Sequence, residues 1–119
     1  MATADDLIMH GGSLDSVYLS GSTFRAALLS AGGAIETTRA VVHGLVKNAM
    51  AIIRPPGHHA ECNRAMGFCI FDNVSIATKV CQIDYAETCK KVLILDWYCI
   101  SLEMPTSVSD SFVQGCSPW

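Results

Sequence analysis

No cysteine pair in this chain has the C-x-x-C spacing of a structural zinc site, although six cysteines are present: Cys62, Cys69, Cys81, Cys89, Cys99 and Cys116. No apolar run approaches the roughly 18 residues that a membrane-crossing helix needs, so no membrane association is expected. There is no basic stripe. Eight Lys and Arg are scattered among eleven Asp and Glu, with a net charge of −3, which argues against direct nucleic-acid binding. A Gly-x-Ser-x-Gly elbow is missing, and with it the nucleophile of an α/β-hydrolase. The opening Met1-Ala2-Thr3-Ala4-Asp5-Asp6 is acidic and lacks a signal-peptide pattern. The thiols are then expected to be reduced, in an intracellular protein. Cys69 and Cys81 are expected to pack as small hydrophobes. Charge is sparse, at 16%, while half of the 119 residues are hydrophobic, which suits one packed domain rather than a disordered chain.

What is present centres on Ile52-Ile53-Arg54-Pro55-Pro56-Gly57-His58-His59-Ala60-Glu61, followed by Gly67-Phe68-Cys69. An apolar run ends in a stiff turn. Proline fixes φ and has no N–H, so Pro55-Pro56 cannot continue a sheet ladder. Gly57 lets the backbone bend where a side chain would clash. The turn presents two adjacent histidines, the side chains whose unperturbed pKa lies nearest neutrality. Side by side they suit proton transfer or a metal site. A solvated surface pair is the plain alternative.

In chain order, residues 1–21 are mixed and turn-rich, with Gly11-Gly12-Ser13 a breaker and His10 a surface residue. Ser22 or Thr23 is expected to cap a helix over Ser22–His43. Its apolar face would comprise Phe24, Ala27, Leu28, Ala31, Ile35, Thr38 and Val42. Gly32-Gly33 weakens that helix but suits close packing against a neighbour. Glu36 and Arg39 can pair. His43 suits the helix C-terminus as a favourable charge. Ala49-Met50-Ala51-Ile52-Ile53 reads as a buried strand over Asn48–Ile53. Asp72 or Asn73 can cap a second helix over Asn73–Gln82. Val92-Leu93-Ile94-Leu95-Asp96 reads as a second buried strand.

Strand, helix, strand at this spacing predicts a right-handed βαβ unit with parallel strands. Asp96 and the His58-His59 loop then meet at the carboxyl edge of one sheet, where open parallel sheets bind ligands. A carboxylate there can fix the tautomer of an imidazole and raise the basicity of its other nitrogen. Capping a neighbouring turn is the other role open to Asp96.

The run Arg54-Pro55-Pro56-Gly57-His58-His59-Ala60-Glu61, with Gly67-Phe68-Cys69, Phe71 and Asn73-Val74, resembles the zinc-dependent histone deacetylases, in particular class II enzymes of the fungal Hda1-like kind. The resemblance runs from about Asp15 to Trp97. It implies the arginase–deacetylase fold, here a partial three-layer α/β arrangement on a parallel sheet. It implies hydrolysis of acetyl-lysine, with acetylated histone or another acetyl-lysine protein as substrate. Corepressor-complex subunits would be partners, and the nucleus, the cytoplasm or both the location. By the same resemblance His58 and His59 move protons beside a zinc-bound water, and Asp96 orients His58 and helps hold a potassium ion. Gly67 contacts the acetyl-lysine through its backbone, and Phe68 lines the channel for the lysine stem. An apolar wall suits the methylenes of that stem, which gain by leaving water.

The resemblance stops after Trp97. The family continues with Asp-Trp-Asp-Ile-His-His, in which the second Asp and the first His are zinc ligands. Here the chain reads Asp96-Trp97-Tyr98-Cys99-Ile100-Ser101, with Tyr98 and Ile100 at those places. Residues 98–119 hold five serines, two prolines and two charges without a clear period. The chain therefore divides into residues 1–97, the N-terminal part of a deacetylase domain, and a divergent tail, 98–119. Zinc belongs to the intact family domain. This chain is expected to supply no zinc ligand and to be inactive alone, as a fragment or as a catalytically dead binding or regulatory module.

Overall fold

The computed structural model describes residues 3–96. Three helices carry the described fold: α1 (Ala4–Gly12), α2 (Thr23–Val42) and α3 (Asn73–Asp84). α1 falls where the sequence suggested only turns. It begins with a capping box: the Thr3 hydroxyl accepts from the Asp6 N–H at 3.2 Å, and the Asp6 carboxylate accepts from the Thr3 N–H at 2.9 Å. It stops at Gly11-Gly12, the expected breaker.

α2 begins and ends within a residue of its expected bounds. Ser22 holds the N-cap position but makes no side-chain cap, and the Thr23 hydroxyl accepts instead from the preceding Ser20 N–H at 2.8 Å. The buried face is Ala27, Ser30, Ala31 and Ala34. This is narrower than the expected stripe: Phe24 and Leu28 are exposed. Small residues win because neighbouring chain lies close. A Cβ on Gly33 would sit 3.1 Å from Ile53 Cγ2, which is the close packing expected of that glycine. α3 is capped by Asp72, whose carboxylate accepts from the Ser75 N–H at 3.1 Å. It packs on α2 through Ala77 and Cys81.

Arg39 joins the C-terminal ends of the two helices. It pairs with Glu36 at 2.7 Å, as expected, and with Asp84 at 2.6 Å. Asp84 first, then Glu36, pushes the guanidinium pKa further up. Beside them the Tyr85 hydroxyl and His43 Nε2 share a 2.6 Å hydrogen bond, so His43 has a defined partner as well as its place at the helix end.

The parallel sheet is not formed among the described residues. Segments 48–53 and 91–96 carry no ladder, and the only β pairings are isolated bridges, Glu61 with Arg64 and Met66 with Cys69. The expected βαβ unit is thus present as two unpaired segments around α3. A strand is made by its neighbours, and none of the described chain lies in hydrogen-bonding register with either segment. Their side chains are correspondingly open, with Ile52 92% and Leu93 80% exposed. Cys69 and Cys81 are fully buried, as expected. Cys69, Cys81 and Cys89 are free.

Candidate active site

The turn over Pro55–Ala60 is built from backbone fits. The Ala60 N–H closes it on the Gly57 carbonyl at 3.0 Å. Gly57 is buried against the start of α3, where a Cβ would lie 2.5 Å from Asn73 N and 2.7 Å from the Phe71 carbonyl oxygen. No flexible side chain can yield there, so glycine is required. We expect Gly57→Ala to loosen the turn by about 1–3 kcal/mol, the usual range for overpacking. Tryptic cleavage after Arg64 should quicken by about fivefold or more. A parental cleavage rate would mean that the turn accommodates a side chain.

The turn sets the imidazoles of His58 and His59 edge to face, with ring centroids 4.2 Å apart. Nδ1 of His58 lies 3.7 Å from Oδ2 of Asp96. That is ion-pair range, longer than a direct hydrogen bond. His58 and Asp96 therefore meet as the sequence predicts, even though no ladder joins their segments. Both line a cleft of about 640 Å³, together with Ala51, Ile53 and residues from α2 and α3. Its volume is in the range of small-molecule sites.

His59 faces the other way. Gly67, at φ +56°, lies against its ring: a Cβ there would come within 2.6 Å of Cδ2. Cys69 ties the two turns together. Its Sγ accepts from the His59 N–H at 3.4 Å and donates to the Gly67 carbonyl at 3.3 Å. Burial pushes the Cys69 thiol pKa up, against the smaller lowering by the N–H groups of His59 and Ala60. The thiol thus keeps the proton it donates. Phe68 also has positive φ, +65°, and is 69% exposed. It does not line the cleft beside His58. The N–H groups of Gly67 and Phe68 donate to the carbonyls of Asp15 and Ser16, each at 2.9 Å.

The structure therefore brings His58, His59, Asp96 and Gly67 together and leaves Phe68 on the open side. Sequence reasoning missed Ser30 and read Cys69 only as packing. A serine at position 30, between Ala27 and Ala31 on a small-residue helix face, was the available signal. No group of three His, Cys, Asp or Glu able to hold a metal occurs among the described residues. The donors among the described residues therefore do not by themselves fit a catalytic zinc, which usually takes three protein ligands. Tyr98 and Ile100 lie outside the described residues.

The two-histidine turn thus has a carboxylate near one ring and Gly67 against the other. The histone deacetylase domain family matches residues 2–98, and the chain belongs to that family. Within it the chain is similar to Hda1-like enzymes. It is 45% identical to histone deacetylase HDA1 of Candida albicans over 93 residues, covering 78% of this chain and 11% of that protein. It is 51% identical to histone deacetylase HDA1 of Saccharomyces cerevisiae over 83 residues, covering 70% of this chain and 12% of that one. It is also 43% identical to polyamine deacetylase HDAC10 of Rattus norvegicus over 83 residues, covering 70% of this chain and 14% of that protein. The chain thus spans little more than a tenth of the length of these relatives. Family membership implies the arginase–deacetylase fold, of which the helical part is seen here.

Proposed function

We propose that this chain carries the proton-transfer half of a zinc-dependent lysine deacetylase site and lacks the metal-binding half. The observation that supports this best is the convergence of His58, His59 and Asp96 at one end of the two apolar segments. In this reading the histidines take a proton from the attacking water and deliver one to the leaving amine. Asp96 orients the His58 ring. Gly67 and Phe68, on the His59 side rather than in the cleft beside His58, form part of the wall for the lysine stem. The substrate is an acetylated histone or another acetyl-lysine protein, and corepressor subunits are the partners. The intact protein works in the nucleus, the cytoplasm or both. Zinc, with potassium near Asp96, belongs to the complete domain.

A second reading is a catalytically inactive, deacetylase-like binding or regulatory module. It is favoured by the lack of a three-ligand cluster among the described residues.

A chimaera tests the first reading. Residues 1–97 replace the matching part of the Saccharomyces cerevisiae HDA1 domain, which supplies everything downstream. The chimaera should hydrolyse an acetyl-lysine peptide. His59→Ala should cut turnover by about 10²–10⁴-fold, the usual worth of acid–base catalysis, with its zinc content retained. An active parent whose His59→Ala variant turns over normally would refute the assigned role. Acetylated polyamine, run beside the peptide, separates the two substrate classes found among the relatives.

A further inference from the structure

We propose that Ser30 and Asn73 are positioning residues for the histidine turn, acting through the carbonyl of Pro55. This deepens the reading of His58 and His59 as a proton-transfer pair and rests on it. Ser30 is 2% exposed and Asn73 3% exposed, and they are the two buried polar residues of the described fold. Burying such groups is costly unless they are hydrogen-bonded, so where their bonds go is informative. Both converge on one atom. The Ser30 hydroxyl donates to the Pro55 carbonyl at 2.7 Å, and Asn73 Nδ2 donates to the same oxygen at 3.1 Å. Asn73 Nδ2 also reaches the Ser30 hydroxyl at 2.9 Å, closing a three-membered network. Out of water, such bonds strengthen one another.

The anchor lies close to the chemistry. Ser30 sits within α2 and Asn73 is the first residue of α3, so two helices grip one carbonyl. Two residues on, Gly57 is wedged against the Asn73 backbone. The turn is therefore held at Pro55 and again at Gly57, and His58 and His59 follow directly. Gluing α2 to α3 does not need this network. The helices also meet through their alanine faces and through Arg39 and Asp84. What Ser30 and Asn73 add is a fixed origin for the backbone that carries the imidazoles. Catalytic groups misplaced by about 1 Å can lose about 10²-fold in rate, so such an origin matters.

Hydrogen exchange by mass spectrometry on the chimaera, whose downstream part supplies the rest of the domain, tests this without requiring turnover. Ser30→Ala and Asn73→Ala should each speed exchange at the His59 and Ala60 amides by about tenfold, the value of roughly one buried hydrogen bond. The amides of α2 and α3 should exchange as in the parent. Ser30→Thr, which keeps the hydroxyl, should restore the slow exchange. Unchanged exchange at the turn would overturn the proposal. So would equal acceleration through both helices, or failure of Ser30→Thr to rescue. A chimaera that lacks deacetylase activity would instead overturn the proton-transfer reading and leave the exchange result standing.

Discussion

Incubated with an acetyl-lysine peptide at neutral pH, the purified 119-residue chain is expected to release no acetate above the buffer rate. The described residues offer a proton-transfer pair and a carboxylate. General acid–base catalysis of that kind contributes about 10²–10⁴-fold. Enzymes commonly need about 10⁶-fold or more over the uncatalysed reaction, and stabilising the developing oxyanion is usually the larger share. In a metal hydrolase the ion supplies it by polarising the carbonyl and lowering the pKa of bound water. No described cluster can hold that ion, and the sequence puts Tyr98 and Ile100 where the family has ligands. Acetate release that a hydroxamate chelator blocks, and that a His58/His59 double mutant loses, would show the tail to be a working part of the site.

The isolated chain is also expected to associate rather than behave as a monodisperse monomer. Among the described residues the fully buried side chains are small: Cys69 and Cys81 are the largest. Meanwhile Met50, Ile52 and Leu93 are more than three-quarters exposed, at 83%, 92% and 80%. Covering a side chain of that kind is worth about 1.5–3 kcal/mol, so three of them outweigh much of a small domain's net stability. They lie on extended segments whose backbone has no ladder partner among the described residues, and such segments template pairing with other chains. Size-exclusion chromatography with light scattering should show several species. Thermal unfolding should be broad, and a dye for exposed apolar surface should bind before heating. A sharp, cooperative transition from a single monomeric peak would contradict this.

The helices were legible because their signals are local. The α2 run, the Asp72 cap and the Glu36–Arg39 pair need only a few residues of context, and each is where the sequence placed it. α1 was equally local, yet its Thr3–Asp6 capping box was hidden by the two glycines that end it. The strands were not legible in the same sense. Their apolar runs record what the segments should be buried against, and pairing depends on chain elsewhere. The site was partly legible. Two histidines behind Pro-Pro-Gly announce a stiff turn, and a carboxylate ending an apolar run announces its partner. Ser30 was half legible: a polar residue on a small-residue helix face marks a buried bond, but not the carbonyl it meets across the fold.

The pairing of Gly67 and Phe68 with the carbonyls of Asp15 and Ser16 bears on where transcripts and expression vectors can begin. Of the internal methionines, Met9 and Met50 lie on either side of these two carbonyls, and truncation to each has a different outcome. Translation from Met9 sacrifices the α1 capping box yet keeps both acceptor carbonyls. Translation from Met50 discards both acceptors, along with α2, and leaves two N–H groups of the Gly-Phe turn to water. An N-terminal fusion partner presses on the same short tether from outside. Any product that lacks Asp15 and Ser16 thus carries the Gly67-Phe68 turn without its support.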